Sequence, residues 1–225
     1  MQEIGSEAYF ISLINKLEGW EGHRTSGTYG LAYLYKSDLT VNSLVEIEEL
    51  DDYNLTRTPY MLELNWGSEI IYIINNHYKC CGDGFIENIF DDEEYRRLEA
   101  VRLTKNYNIN YKENENVVLL GDFNDLLSDN ISNNVFLELI SDSANYRFTD
   151  LQIACNSSDY WSYPTWPSHL DHILITNELF DEFERLGSGV QTIQIEDYLD
   201  EGWDEYETFV SDHRPVGLRL VFDSN

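Results

Sequence analysis

The chain has 225 residues, 42% hydrophobic and 14% aromatic, enough to bury one sizeable core and too apolar for a disordered chain. Fourteen Lys and Arg stand against 42 Asp and Glu, a formal net charge of −28, which excludes a protein that grips nucleic acid by bulk electrostatics alone. No apolar run approaches the ~20 residues of a membrane span, and Met1 to Phe10 lacks the basic start and long apolar stretch of a signal peptide.

The apolar spacing of Glu7 to Leu17 predicts a helix, with Gly19 able to end it. Gly30 to Tyr35 reads as a short buried strand. Tyr60 to Trp66 and Glu69 to Asn75 read as a hairpin turning at Gly67-Ser68. Asp91 to Tyr107 alternates charge with Leu98, Val101 and Leu103, as a helix with one exposed face does. Val117 to Leu120 and His172 to Thr176 are apolar strands, Asn134 to Ile140 a short helix, and Val216 to Phe222 a closing strand. The acidic stretch Glu196 to Glu207 reads most simply as a solvated loop. No linker or repeat divides the chain, so residues 1–225 form a single domain. Hairpins interleaved with helices suit mixed or antiparallel sheets better than one parallel sheet. Cys80, Cys81 and Cys155 are an odd set without a C-x2-C unit, hence neither a disulfide framework nor a zinc site; a bridge from Cys155 to the adjacent pair stays open.

Four segments share one pattern, an apolar strand joined directly to ligand-type residues. IIYIINNHYK ends at Asn75, Asn76 and His77. VVLLGDFND ends at Asp122, Asn124 and Asp125. SHLDHILIT starts from Asp171 and His172, and FVSDHRPVGLRLV places Asp212 and His213 before the last strand. Singly, each is a turn former or a structural histidine. Together in one acidic chain they supply carboxylates for a divalent cation, imidazoles for proton transfer and an amide to hold an oxygen, the parts of metal-assisted phosphate chemistry.

With Gln2-Glu3-Ile4, Asn76-His77, Gly121-Asp122-Phe123-Asn124, Asp171-His172-Ile173 and Ser211-Asp212-His213-Arg214-Pro215 in this order, the chain resembles the endonuclease/exonuclease/phosphatase superfamily, with its pancreatic-type deoxyribonuclease-like fold. The resemblance implies a four-layer α-β-β-α sandwich of two mixed β-sheets flanked by helices, with the site at one rim. It implies a divalent-metal-dependent phosphoesterase, most simply a nuclease-like phosphodiesterase, using Mg2+ or Mn2+, with Ca2+ also open. Glu3 and Asp212 match metal-side carboxylates. Asp122 matches the residue that activates water, Asn124 the amide on a phosphate oxygen, His213 the phosphate-facing histidine and Asp171 the carboxylate that orients it. His77 matches the other site histidine, a phosphate contact or proton donor to the leaving oxygen. Asn76, His169 and Trp166 are the substrate-side candidates, Trp166 within an aromatic cluster with Trp161 and Tyr163. Arg96 or Arg97 matches a structural helix arginine.

Members usually open with a strand that precedes the Gln-Glu motif, whereas here Glu3 is the third residue. An interior strand missing from a sheet would leave two open edges. The partners implied are nucleic acid or another phosphate ester and a divalent cation. The alternatives are a phosphatase, a sphingomyelinase-like phospholipid phosphodiesterase, a catalytically inactive binding domain, and an acidic Ca2+-binding module. The compartment is left open; the acidity and few Lys and Arg would suit an exported, secreted or periplasmic setting.

Overall fold

The computed structural model describes residues 1–88 and 90–223. In chain order the elements are α1 (Glu7–Ile14), β1 (Trp20–Arg24), β2 (Ala32–Lys36), β3 (Thr40–Glu46), β4 (Tyr60–Trp66), β5 (Glu69–His77), α2 (Glu93–Tyr111), β6 (Asn116–Asp122), α3 (Leu137–Ile140), β7 (Tyr146–Phe148), α4 (Leu151–Ala154), β8 (Asp171–Thr176), α5 (Phe180–Glu184), β9 (Gly189–Thr192), α6 (Trp203–Phe209) and β10 (Val216–Arg219).

A six-stranded mixed sheet in the order β3-β4-β5-β6-β8-β7 organises the molecule. Its β5/β6 pair is parallel and the others are antiparallel. A parallel pair needs a crossover, and α2 supplies it between β5 and β6. On the α2 face, Ile74, Val117, Leu119 and Leu174 pack with Ala100, Val101 and Tyr107. On the other face, Ile71, Val118, Ile173 and Ile175 pack with Tyr33 and Tyr35 of β2 and Val216 and Leu218 of β10. Burial on both faces is why the central strands read as unbroken apolar runs rather than as alternating ones. Outside β1 lies α1, with Phe10 and Ile14 against Gly22.

The second β layer is two separate antiparallel ribbons, β1/β2 and β9/β10, rather than one mixed sheet. Met1 and Ile4 exchange backbone hydrogen bonds with Ala32 and Gly30 along the edge of β2. Among the described residues no ladder joins β2 to β10. A groove of about 570 Å³ runs between Met1–Ile4 and Pro215-Val216, floored by Leu120, Gly121 and Ile173. Leu120 and Ile73 are accordingly only half-buried.

The acidic stretch 196–207 is not a solvated loop. It folds into a 3-10 turn and α6. Glu196 is buried in an ion pair with Arg214, and Tyr206 is buried with its hydroxyl donating to the His213 carbonyl at 3.1 Å. All three cysteines are free thiols.

Candidate active site

The backbone register assembles the site. His77 ends β5, Asp122 ends β6 and Asp171 begins β8. The parallel β5/β6 ladder pairs His77 with Asp122, and the antiparallel β6/β8 ladder pairs Asp122 with Asp171. The three residues therefore form one row across adjacent strands. Strand alternation puts them on the same face as Ile73, Leu120 and Ile173, at the rim of the apolar layer between the sheet and the ribbons. Gly121 permits this close approach. It sits at φ +137°, and a Cβ there would lie 1.9 Å from the Asn76 carbonyl oxygen.

The loop before β10 brings His213 onto the row. Its Nδ1 lies 2.6 Å from Asp171 Oδ2, its backbone N–H donates to Ser211 Oγ, and its ring stacks on Tyr163 at 4.7 Å between centroids. At the row's other end, His77 Nε2 lies 3.6 Å from Asp122 Oδ2 and 3.8 Å from Glu3 Oε1. Gln2 anchors the glutamate's segment by donating to Asn75 Oδ1 at 2.6 Å, and Arg57 stands 3.7 Å from Glu3. Asn124 adopts φ +55° directly after β6; its backbone N–H donates to Asp122 Oδ1, and its side-chain amide donates to the Tyr78 carbonyl. Glu3, His77, Asp122, Asn124, Asp171, Asp212, His213 and Trp166 all line one open cavity of about 740 Å³.

The environment sets these groups apart electrically. Burial and the neighbouring Asp171 charge push the Asp122 carboxyl up to about 7. Burial alone would lower the His213 imidazole. The hydrogen bond to Asp171 and the carboxylates of Asp171, Asp122 and Asp212 outweigh it and raise the ring to about 9. Burial and the charge of Arg57 lower His77 to about 4. Near neutral pH the cavity thus presents a cationic His213, a neutral His77 and an Asp122 poised between its two forms.

Residues 1–213 match the family model for the Endonuclease/Exonuclease/phosphatase family. The chain belongs to this family. As a family member it is a hydrolase acting on phosphate ester bonds, and its architecture is the deoxyribonuclease-like one. It is similar to zebrafish (D. rerio) TDP2 complexed with a single-strand DNA product, at 15% identity and a TM-score of 0.64 over 96% of this chain and 82% of that one. It is similar to the 3′ phosphatase NExo from Neisseria bound to a product DNA hairpin, at 14% identity and a TM-score of 0.66 over 98% of this chain and 87% of that one. A family protein from Bacteroides vulgatus aligns at 13% identity and a TM-score of 0.59 over 98% and 84%. No curated protein matches the chain.

Two expected substrate contacts are not on the cavity of this family member. His169 is fully buried; its Nδ1 accepts from the Ser162 N–H and its Nε2 lies 3.1 Å from Asp150. Asp150 also holds His172 and the Ile173 N–H, so this trio ties the loop before β8 to the sheet. Asn76 is buried with its amide donating to the Ile74 and Leu120 carbonyls. The aromatic cluster divides: Tyr163 stacks on His213, Trp161 donates to the Ile153 carbonyl, and Trp166 is 78% exposed on the cavity wall. Arg57 and Tyr163 were not singled out by the sequence as site residues. Tyr163 was legible only as one member of the aromatic cluster, and nothing local marks Arg57.

The donor set fits a hard divalent cation. Glu3 and Asp212 offer carboxylate oxygens to the cavity, with Glu3 59% exposed at its side chain. Among the described residues no three-ligand cage closes around them. An open all-oxygen set of few protein ligands suits a hard divalent cation that keeps several waters. No helix among the described residues is long and apolar enough to cross a membrane.

Proposed function

We propose that the chain is a divalent-metal-dependent phosphodiesterase with a nucleic-acid substrate. The observation that supports this reading best is the in-register row of His77, Asp122 and Asp171, with His213 clamped to its end. A Mg2+ or Mn2+ held by Glu3 with Asp212 would supply Lewis-acid charge at the phosphate. The chain's own residues do the rest. Asp122, in its ionised form, accepts a proton from the attacking water as its oxygen bonds to phosphorus. The bond from phosphorus to the leaving oxygen breaks on the opposite side; that oxygen keeps the bonding pair and takes its proton from solvent water, and Asp122 returns its proton to solvent. The His213 imidazolium donates to a non-bridging oxygen and is kept cationic and oriented by Asp171. The Asn124 side-chain amide is a second donor for that oxygen once it turns from the Tyr78 carbonyl. His77, largely neutral near pH 7, serves as a hydrogen-bonding contact to the phosphate.

The DNA bound to TDP2 and to NExo in the similar structures supports a nucleic-acid substrate. The exposed Trp166 indole on the cavity wall gives a face on which a base can stack. The test is hydrolysis by chelator-treated protein of plasmid DNA, a single-stranded oligonucleotide, bis(p-nitrophenyl) phosphate and sphingomyelin, with Mg2+, Mn2+, Ca2+ or EDTA. Cleavage of DNA and the small diester that requires the metal is expected. Equal rates in EDTA would remove the metal from the reading. Cleavage of sphingomyelin alone would move the substrate to phospholipid.

A further inference from the structure

Beside the row, the same cavity holds a second group of carboxylates that the reaction above does not use. Glu94 enters from the first turn of α2, and Asp125 and Asp129 from the loop after β6. One carboxylate oxygen from each lies within 4.8 Å of the other two. The single cation among them is Arg97, paired with Glu94 and with Asp125 at 2.9 Å. Three carboxylates thus face one guanidinium, a formal excess of two negative charges that the raised Asp125 and Asp129 carboxyls offset in part by holding protons near neutral pH. Two of the carboxylates are buried, and Glu94 is 1% exposed. Its Oε1 has no hydrogen-bond partner although its residue lines the cavity, an arrangement that wastes a buried charge unless a ligand accepts it.

We propose that Glu94, Asp125 and Asp129 form a second cation site, separate from Glu3 and Asp212, that takes Ca2+. The donors are all hard oxygens, and the missing charge is that of a divalent ion. Oxygens bound to Ca2+ at about 2.3–2.6 Å can stand up to about 5 Å apart, and these all lie within 4.8 Å of one another. Arg97 bonds Glu94 Oε2 and Asp125 Oδ2 but leaves Glu94 Oε1 without a hydrogen-bond partner, and its remaining hydrogen bonds run to the Lys79 and Cys81 carbonyls. The like-charge crowding also shows in Asp125 and Asp129, whose carboxyls are raised by burial first and by their acidic neighbours second. A bound ion would cross-link the loop that carries Asn124 to α2 and, through Arg97, to the segment after β5.

The experiment is equilibrium dialysis of the chelator-treated full chain against Ca2+, paired with thermal melting in Ca2+ and in EDTA. The variants are Asp129→Asn, Glu94→Gln and, for the other site, Glu3→Gln. Glu3→Gln should keep one Ca2+ equivalent and most of the Ca2+-dependent rise in melting temperature. Asp129→Asn should lose that equivalent, with binding weakened by at least about tenfold, and in EDTA should melt at or above the wild type because repulsion is relieved. Glu94→Gln decides the matter if Asp129→Asn does not fold. Full Ca2+ stoichiometry in a folded Asp129→Asn or Glu94→Gln variant overturns the site, as does loss of all Ca2+ binding in Glu3→Gln. Because binding rather than hydrolysis is read, failure here is distinct from failure of the phosphodiesterase reading.

Discussion

At the scale of single residues, the opposed environments of Asp122 and His213 give the hydrolysis a pH signature. Asp122 works ionised, so the rate should rise with pH through its titration, which lies at about 7 in the metal-free protein and lower once a cation is bound. His213 works as a cation, so the rate should fall as pH increases through about 9. Asp171→Asn removes the carboxylate charge that holds His213 up, leaving at most a neutral amide oxygen to accept from its ring. Its alkaline limb should move down toward the ordinary histidine range near about 6.5, a shift that simple loss of structure would not produce. A pH–rate profile of the two proteins on a small diester checks both limbs; an unmoved alkaline limb would deny Asp171 its positioning role. Most cavity residues were legible because their motifs are local strings at strand ends. Asn76 was not, yet strand alternation held the answer: Asn75 and His77 share one face, which turns Asn76 to the other. His169 was misjudged because its partner Asp150 is 19 residues away and no local pattern joins them.

At the scale of elements, the β5/β6 ladder is what carries the row, and Gly121 is its narrowest point. Gly121→Ala would meet the Asn76 carbonyl and force a side chain into a positive-φ position. The expected cost is about 3 kcal/mol or more, read as a lower urea midpoint, with activity lost in whatever fraction stays folded. A variant with wild-type stability would mean the two strands can spread. The long α2 and the β4/β5 hairpin were visible in sequence from charge alternation and from Gly67-Ser68. β1 was missed because Trp20–Arg24 carries few apolar residues. β3 was missed because its register shifts between Val41 and Ser43, which breaks the period of two. β7 and β9, at three and four residues, are too short to show a period. The segment 196–207 read as solvent-facing because charge dominates it. Its buried members, Glu196 and Tyr206, are held by Arg214 and by the His213 backbone, contacts that depend on the tertiary fold.

At the scale of the whole molecule, a net charge of −28 and a cavity crowded with carboxylates make stability depend on pH and on cations. Asp122 and Asp125 are raised to about 7 and Asp129 to about 6, from an ordinary value of 3.8. The folded state therefore binds their protons more tightly than the unfolded state. The stability they confer is complete below about 3.8 and is lost as pH rises through 6 to 7. His213, raised to about 9, adds stability that is full below about 6.5 and lost as pH rises through 9. The Met1 amine, lowered to about 6 by burial, and His77, lowered to about 4, run the other way, His77 acting mainly below about 6.5. In EDTA the melting temperature should fall steadily between pH 6.5 and 9, and a divalent cation should flatten that slope. Calorimetry across this range checks it, and a rise with pH would contradict it. The same electrostatics explain how so acidic a chain can act on a polyanion: a site cation reverses the local field even when the protein as a whole repels its substrate.

The most direct test of the phosphodiesterase is the rate of bis(p-nitrophenyl) phosphate hydrolysis in Mg2+ by the wild type, Asp122→Asn and His213→Gln, each shown to be folded by its circular dichroism. Wild-type turnover that disappears in EDTA and falls about 10²–10⁴-fold in both variants is the expected result. Wild-type rates in either folded variant would contradict the assignment of the His77–Asp122–Asp171–His213 row as the catalytic centre.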